Sequence, residues 1–254
     1  MLNYKTFGKG DPVIILHGLF GMLDNWQTIG KELAAHYMVY LVDQRNHGKS
    51  PHFDEHSYKL MAEDLAKFME ENWIHRAHLI GHSMGGKTVM QFAGAFEDMI
   101  DKLIVIDIAP KQSQRGHDEI LDALSSLDLS NIDKRSEAEE ALSERISDRG
   151  VMQFLLKNLT RRKEGGYRWK MNLPVLVSQY ERILDPITFK KPFEAPTLFL
   201  KGAKSSYIQK DDEKMIKEMF SNVKIKEIKD AGHWVHAENL EDTTLEIINF
   251  LAKD

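Results

Sequence analysis

Gly81-His82-Ser83-Met84-Gly85 lies between an apolar run, Ala77 to Ile80, and a helix-compatible stretch, Gly86 to Ala95. This is the G-x-S-x-G pattern of a nucleophile elbow, and it limits the possible folds more than any other segment. A serine on so sharp a strand-to-helix turn has a strained backbone. A Cβ at either flank would meet the neighbouring strand or helix, so both flanks are glycine. The turn lifts Ser83 Oγ clear of a sheet and points the amino end of the following helix, with its unpaired N–H groups, at any oxyanion forming beside the hydroxyl. A bare five-residue match recurs by chance. The strand before and the helix after make Ser83 a nucleophile candidate rather than a structural turn.

The remainder of the chain has the rhythm that such an elbow requires. Short β-branched runs alternate with amphipathic segments, which predicts an α/β fold: a mostly parallel sheet with helices on both faces. Strands are expected at 13–16, 38–42, 77–80, 103–106, 197–200 and 224–228, with an antiparallel edge strand near 2–7. Helices are expected near 26–35, 57–72, 84–96, 210–220 and 239–252. The rhythm breaks once, between Asp107 and Thr197, where about 90 residues replace an ordinary connection of about 2–6. Within them Ile120, Leu121, Leu124 and Leu127, then Met152, Leu155, Leu156 and Leu159, then Leu176, Tyr180, Ile183 and Leu184 repeat at helical spacing. The expected organisation is a core of residues 1–109 and 192–254 carrying an inserted helical cap over 110–191.

Composition narrows the partners. The 254 residues carry 34 Lys and Arg against 39 Asp and Glu, which gives no electrostatic case for nucleic acid or an anionic membrane as a partner. Cysteine is absent, which excludes disulfides, thiolate metal sites and a cysteine nucleophile. No signal-peptide core follows Met1 and no apolar run reaches membrane-spanning length, so the expectation is a cytoplasmic protein. Oligomeric state is not legible.

A serine hydroxyl is a poor nucleophile until a base takes its proton. Of the eleven histidines, His233 in Ala231-Gly232-His233-Trp234 stands just after the last expected strand, at the strand-end side where such sheets assemble their sites. It is the candidate base. His236 invites a metal reading, but no third ligand of suitable spacing accompanies it, and no metal or cofactor is expected. The acid is less obvious. The loop after the 197–200 strand, Lys201-Gly202-Ala203-Lys204-Ser205-Ser206-Tyr207-Ile208, has no carboxylate, and Asp211 and Asp212 read as the cap and first-turn charge of the next helix. One strand earlier, Leu103-Ile104-Val105-Ile106-Asp107-Ile108-Ala109-Pro110 puts an aspartate among apolar neighbours, where a charge is costly unless paired. Asp107 is therefore the candidate acid, accepting from His233 Nδ1–H. The oxyanion donors are expected to be the backbone N–H of Met84 and that of Leu19, in the turn His17-Gly18-Leu19-Phe20-Gly21, with Phe20 as the alternative to Leu19.

These residues carry a resemblance. His17-Gly18-Leu19-Phe20-Gly21, Asp43-Gln44-Arg45-Asn46-His47-Gly48-Lys49-Ser50-Pro51, Gly81-His82-Ser83-Met84-Gly85-Gly86-Lys87 and Ile106-Asp107-Ile108-Ala109-Pro110 are similar to α/β-hydrolases of the YbfF type. The likeness runs from about Val13 to the C-terminus, and the cap carries little of it. It implies the α/β-hydrolase fold, small-acyl esterase activity with some thioesterase activity on acyl-CoA, and an acid after the sixth strand of the family's sheet, in agreement with Asp107.

The expected activity is thus carboxylic-ester hydrolysis of small or medium acyl esters through a Ser83, His233, Asp107 triad and an acyl-enzyme, with water as second substrate. Acyl-CoA thioester hydrolysis is the nearest alternative. A small-molecule receptor that keeps a vestigial site is the alternative of another class. Trp169 and Leu173 belong either to the pocket lining or to the cap's own core, and the first is the working expectation. Asp43, Arg45 and His47 are expected to form a buried ion pair that shapes a loop. His17 and His82 are expected to pack or bond to backbone rather than move protons. Arg161-Arg162-Lys163 reads as a solvated turn that could also meet the phosphates of CoA.

Overall fold

The structure is a computed structural model and describes residues 1–252. Seven strands form one sheet: β1 (Tyr4–Phe7), β2 (Pro12–Leu16), β3 (Met38–Val42), β4 (Ala77–His82), β5 (Ile100–Ile106), β8 (Thr197–Gly202) and β9 (Val223–Ile228). Their spatial order is β1-β3-β2-β4-β5-β8-β9, and every pairing is parallel except that of β1 with β3. The strands are apolar on both faces because both are covered. Ile14, Leu16, Leu79, Leu103, Val105 and Phe199 point into the core shared with α2 (Tyr58–Glu71) and α3 (Met84–Ala95). Their neighbours Val13, Ile15, Ile80, Ile104, Ile106, Leu198 and Leu200 point to the other side, against α1 (Gln27–Leu33) and α11 (Leu240–Leu251). The period of two in the strands thus sorts side chains into two cores.

The helices have local causes. In α2, Ser57 Oγ accepts from the Leu60 N–H at 3.4 Å, and Tyr58, Met61, Ala62, Leu65, Phe68 and Met69 form one buried stripe. Asn239 caps α11 by accepting from the Asp242 N–H at 3.2 Å. No helix among the described residues is long and apolar enough to cross a membrane.

Between β5 and β8 the chain leaves the sheet at the carboxyl end of β5 and re-enters at the amino end of β8, parallel to it with Leu103 paired to Thr197; on the way back the Ile187 N–H donates to Pro110 O at 2.7 Å. The excursion holds α4 (Asp118–Ser125), α5 (Arg135–Ser143), α6 (Arg149–Leu156), α7 (Leu173–Ser178) and α8 (Tyr180–Leu184). It is not wholly helical. β6 (Leu159–Arg161) and β7 (Tyr167–Trp169) form an antiparallel hairpin, whose strands are too short for an alternating pattern to show in the sequence. Nor did periodicity disclose α5, where only Ala138 and Leu142 are buried on an otherwise charged helix. Beyond β8 follow α9 (Asp212–Met219) and α10 (Val235–Glu238).

Polar anchors tie the excursion to the sheet's surroundings. Asn158 Nδ2 donates to Phe20 O at 2.7 Å, the Asn172 N–H to Asn46 O at 2.8 Å, and Tyr58 OH to Ile183 O at 2.6 Å. The buried Lys87 ammonium, on the helix that follows the elbow, donates to Asp185 O at 2.7 Å and Leu184 O at 3.2 Å. Burial draws its pKa down to about 8, opposed by the charge of Asp185.

Candidate active site

Ser83 follows β4 and precedes α3 with φ 53° and ψ −116°, a conformation that costs a non-glycine residue about 1–3 kcal/mol. The glycines beside it make the turn possible. A Cβ on Gly81 would lie 2.2 Å from Gly85 O, and one on Gly85 would lie 2.5 Å from Leu16 O. The Ser83 N–H donates to Ile106 O at 2.9 Å, which pins the elbow to the end of β5.

The three side chains singled out in the sequence meet here. Ser83 Oγ is 2.9 Å from His233 Nε2, and His233 Nδ1 is 2.8 Å from Asp107 Oδ2. Asp107 has no exposed surface, and an isolated carboxylate there would be expensive. It is not isolated. The Gly202 N–H donates to Oδ1 at 3.0 Å, and the Ser205 hydroxyl donates to Oδ2. With Asp107 able only to accept, the His233 proton sits on Nδ1 and Nε2 is left to accept from Ser83. The end of β8 and the loop after it, which lack a carboxylate, therefore still hold Asp107 through Gly202 and Ser205. Tyr207 of the same loop lies flat on His233, with ring centroids 3.8 Å apart and planes at 17°. Sequence reasoning missed Ser205 and Tyr207; the missing carboxylate in 201–208 was the signal.

The neighbouring histidines are structural. His17 Nδ1–H donates to Gly18 O at 2.8 Å while Nε2 accepts from the Gln44 N–H at 3.0 Å, which fixes the turn carrying Leu19. Burial lowers its pKa to about 4. His82 Nε2–H donates to the His233 carbonyl at 2.8 Å, and burial holds it well below its usual range. His47 Nδ1–H donates to Arg45 O at 3.0 Å, and its Nε2 accepts from the Phe20 N–H at 3.3 Å. That bond commits the Phe20 N–H. Arg45 does form a buried ion pair, with Asp64 of α2 rather than Asp43, at 2.5 Å and 2.9 Å. Asp43 instead gathers the N–H groups of Leu23 and Lys49 and the Asn3 amide. His236 stacks on Trp26 at 4.4 Å, and no group of three His, Cys, Asp or Glu side chains among the described residues is placed to hold a metal ion.

Above Ser83 opens a cavity of about 220 Å³. Leu19, Trp26, Tyr207 and Trp234 line it from the sheet side; Ile120, Val151, Phe154 and Leu155 line it from the excursion. Trp169 and Leu173 are not among the residues that line this cavity. They border a separate cleft with Leu124, Leu127 and Tyr167. Trp169 is the last residue of the hairpin strand β7 and Leu173 the first of α7; Leu173 is buried in the core and Trp169 packs against it. Arg161, Arg162, Lys163 and Arg168 surround a third cleft at the hairpin tip, where Arg162 pairs with Glu164.

A family model described as the alpha/beta hydrolase fold matches residues 11–240. Esterase YbfF of Escherichia coli is 37% identical over 233 residues, covering 91% of this chain and 89% of that protein. The sn-1-specific diacylglycerol lipase ABHD11 of Danio rerio is 38% identical over 261 residues, covering 98% of this chain and 82% of that one. Among solved structures, a marine microorganism esterase is 43% identical and superposes with a TM-score of 0.96 over 98% of both chains.

Proposed function

The chain belongs to the α/β-hydrolase family, among its YbfF-type esterases, and from that premise we propose that it hydrolyses carboxylic esters of small or medium acyl groups through an acyl-enzyme. The observation that carries this reading is the unbroken line of hydrogen bonds from Ser83 Oγ through His233 to the buried Asp107, at the floor of an apolar cavity. Ser83 Oγ attacks the ester carbonyl as His233 Nε2 takes its proton. The N–H groups of Leu19 and Met84 receive the oxyanion. Collapse of the tetrahedral intermediate expels the alcohol, which takes the proton back from His233. Water then repeats the sequence on the acyl-enzyme and frees the acid and Ser83. Asp107 stays ionised throughout, holding the imidazole in one tautomer and balancing the imidazolium. Residues 110–191 act as a cap on a core of 1–109 and 192–254. They close the cavity from above, and the modest volume favours short to medium chains.

The test is turnover on chromogenic acyl esters of increasing length, run beside acyl-CoAs of the same lengths. Many cycles per molecule are expected, with Ser83→Ala inactive yet folded and a fluorophosphonate probe labelling Ser83 alone. A slow, near-stoichiometric burst would indicate a receptor instead. Faster turnover of the acyl-CoAs would move the reading to a thioesterase.

A further inference from the structure

The excursion meets the cavity with mostly apolar side chains, Ile120, Val151, Phe154 and Leu155. Its exception is His117, the residue before α4. The ring stands edge-on to Phe20 in the oxyanion turn, with centroids 5.9 Å apart. It is also close enough to His233 for a charge on either imidazole to disfavour one on the other.

The proton on His117 can be located by counting hydrogen bonds. Tyr180 OH accepts from the backbone N–H of Gly116 at 3.3 Å and from that of His117 at 3.1 Å. Those two bonds use the acceptor capacity of a hydroxyl oxygen, so its own proton goes to the third neighbour, His117 Nδ1, at 2.9 Å. Nδ1 is therefore the acceptor, and the neutral ring carries its proton on Nε2. Among the described residues Nε2 has no protein partner, yet it is not sealed away from solvent. Burial, with His233 nearby, lowers the pKa of His117 to about 4. The donor is uncharged at any ordinary pH.

We infer that His117 is a specificity residue: its Nε2–H donates to an uncharged oxygen lying two or three bonds from the scissile ester group, so that esters bearing an ether, hydroxyl or carbonyl oxygen there are preferred over hydrocarbon esters of the same shape. This rests on the ester-hydrolase reading above. A neutral donor in an apolar wall gives no attraction comparable to that of an imidazolium for a carboxylate, so the preference is for neutral oxygen. Tyr180 acts as the positioning residue, since its hydroxyl selects the tautomer.

Two matched pairs of esters test this, one for each side of the scissile bond: phenyl methoxyacetate against phenyl butyrate, and 2-methoxyethyl acetate against butyl acetate. Each kcat/KM is divided by the rate of the same ester with hydroxide, to remove intrinsic reactivity. The wild type should favour the oxygen-bearing member of at least one pair by about tenfold, the worth of one neutral hydrogen bond. The pair that responds identifies the side. His117→Leu should bring the ratio near one, His117→Gln should keep part of it through its amide donor, and Tyr180→Phe should reduce it. Nitrogen NMR of the wild type should show His117 protonated at Nε2 near neutral pH. Equal ratios in wild type and His117→Leu for both pairs would overturn the inference, as would a proton on Nδ1. Absence of turnover on all four esters would instead be failure of the ester-hydrolase reading, so the two failures are distinguishable.

Discussion

Asp107 is held by three donors, His233, Gly202 and Ser205, the last two from the end of β8 and the loop after it. Asp107→Asn should keep the shape of this site but favour the wrong imidazole tautomer, lowering kcat by up to about 10⁴-fold as in the serine proteases. Asp211→Asn should leave both rate and melting temperature near wild type. Asp212→Asn differs: this side chain is buried, receives Lys111 Nζ at 2.6 Å and the Gln209 N–H at 2.8 Å, and its loss should lower the melting temperature while sparing kcat. Steady-state kinetics and thermal melts of the three variants make the check. The pH profile belongs to the same scale. A base must be neutral to take the serine proton, so kcat/KM should rise as the pH leaves the acid range and then level. The surrounding imidazoles cannot supply that step, since burial pushes His17 and His117 down to about 4 and His236 to about 3. A flat profile would contradict the assignment of the base. Ser83, His233 and Asp107 were legible because each ends a strand or sits in a motif whose chain order is fixed. Ser205, Tyr207 and His117 were not, since their roles arise from contacts between loops distant in sequence.

Among the elements, the sheet was the more legible part. Long apolar runs buried on both faces leave little choice of strand, whereas the excursion mixes short helices with a three-residue hairpin whose pattern is set by packing. The same packing decides which side chains meet a substrate. Ile120 and Phe154 border the cavity, so replacing either with Ala should extend the range of acyl lengths accepted, with shifts of about tenfold or more in relative kcat/KM because a methylene in an apolar pocket is worth about 1–3 kcal/mol. Leu173 is buried in another cleft, and Leu173→Ala should cost about 2–5 kcal/mol of stability with the order of acyl preference unchanged. A chain-length series with urea unfolding on the same variants separates the two behaviours.

At the scale of the whole molecule, the buried histidines make the fold sensitive to acid. His17, His47 and His236 are neutral in the folded state, with pKa values lowered by burial to about 4, 3 and 3. The unfolded chain protonates them near 6.5. Below that pH the unfolded state binds protons that the native state refuses, so stability is full above about 6.5 and falls as pH drops toward the folded values. At about 1.4 kcal/mol per unit, three such groups represent on the order of 10 kcal/mol, comparable with the whole stability of a domain. Melting temperatures taken from pH 7 to 4 should fall steeply, and His236→Phe should flatten the slope, because Nδ1 of this ring has no partner to lose among the described residues. A drop no shallower in His236→Phe would place the sensitivity elsewhere. The return of the chain to the sheet has a different consequence. Because the Ile187 N–H meets Pro110 O at 2.7 Å, the residues between them enter and leave through one doorway, and the ends of β5 and β8 hold Asp107 and its Gly202 donor without them. The entropy of closing such a loop grows only with the logarithm of its length, so the excursion can lengthen, shorten or be exchanged for another at small cost. Selectivity can then evolve, or be engineered by grafting, on a timetable of its own, while the bond-making machinery beneath is inherited intact.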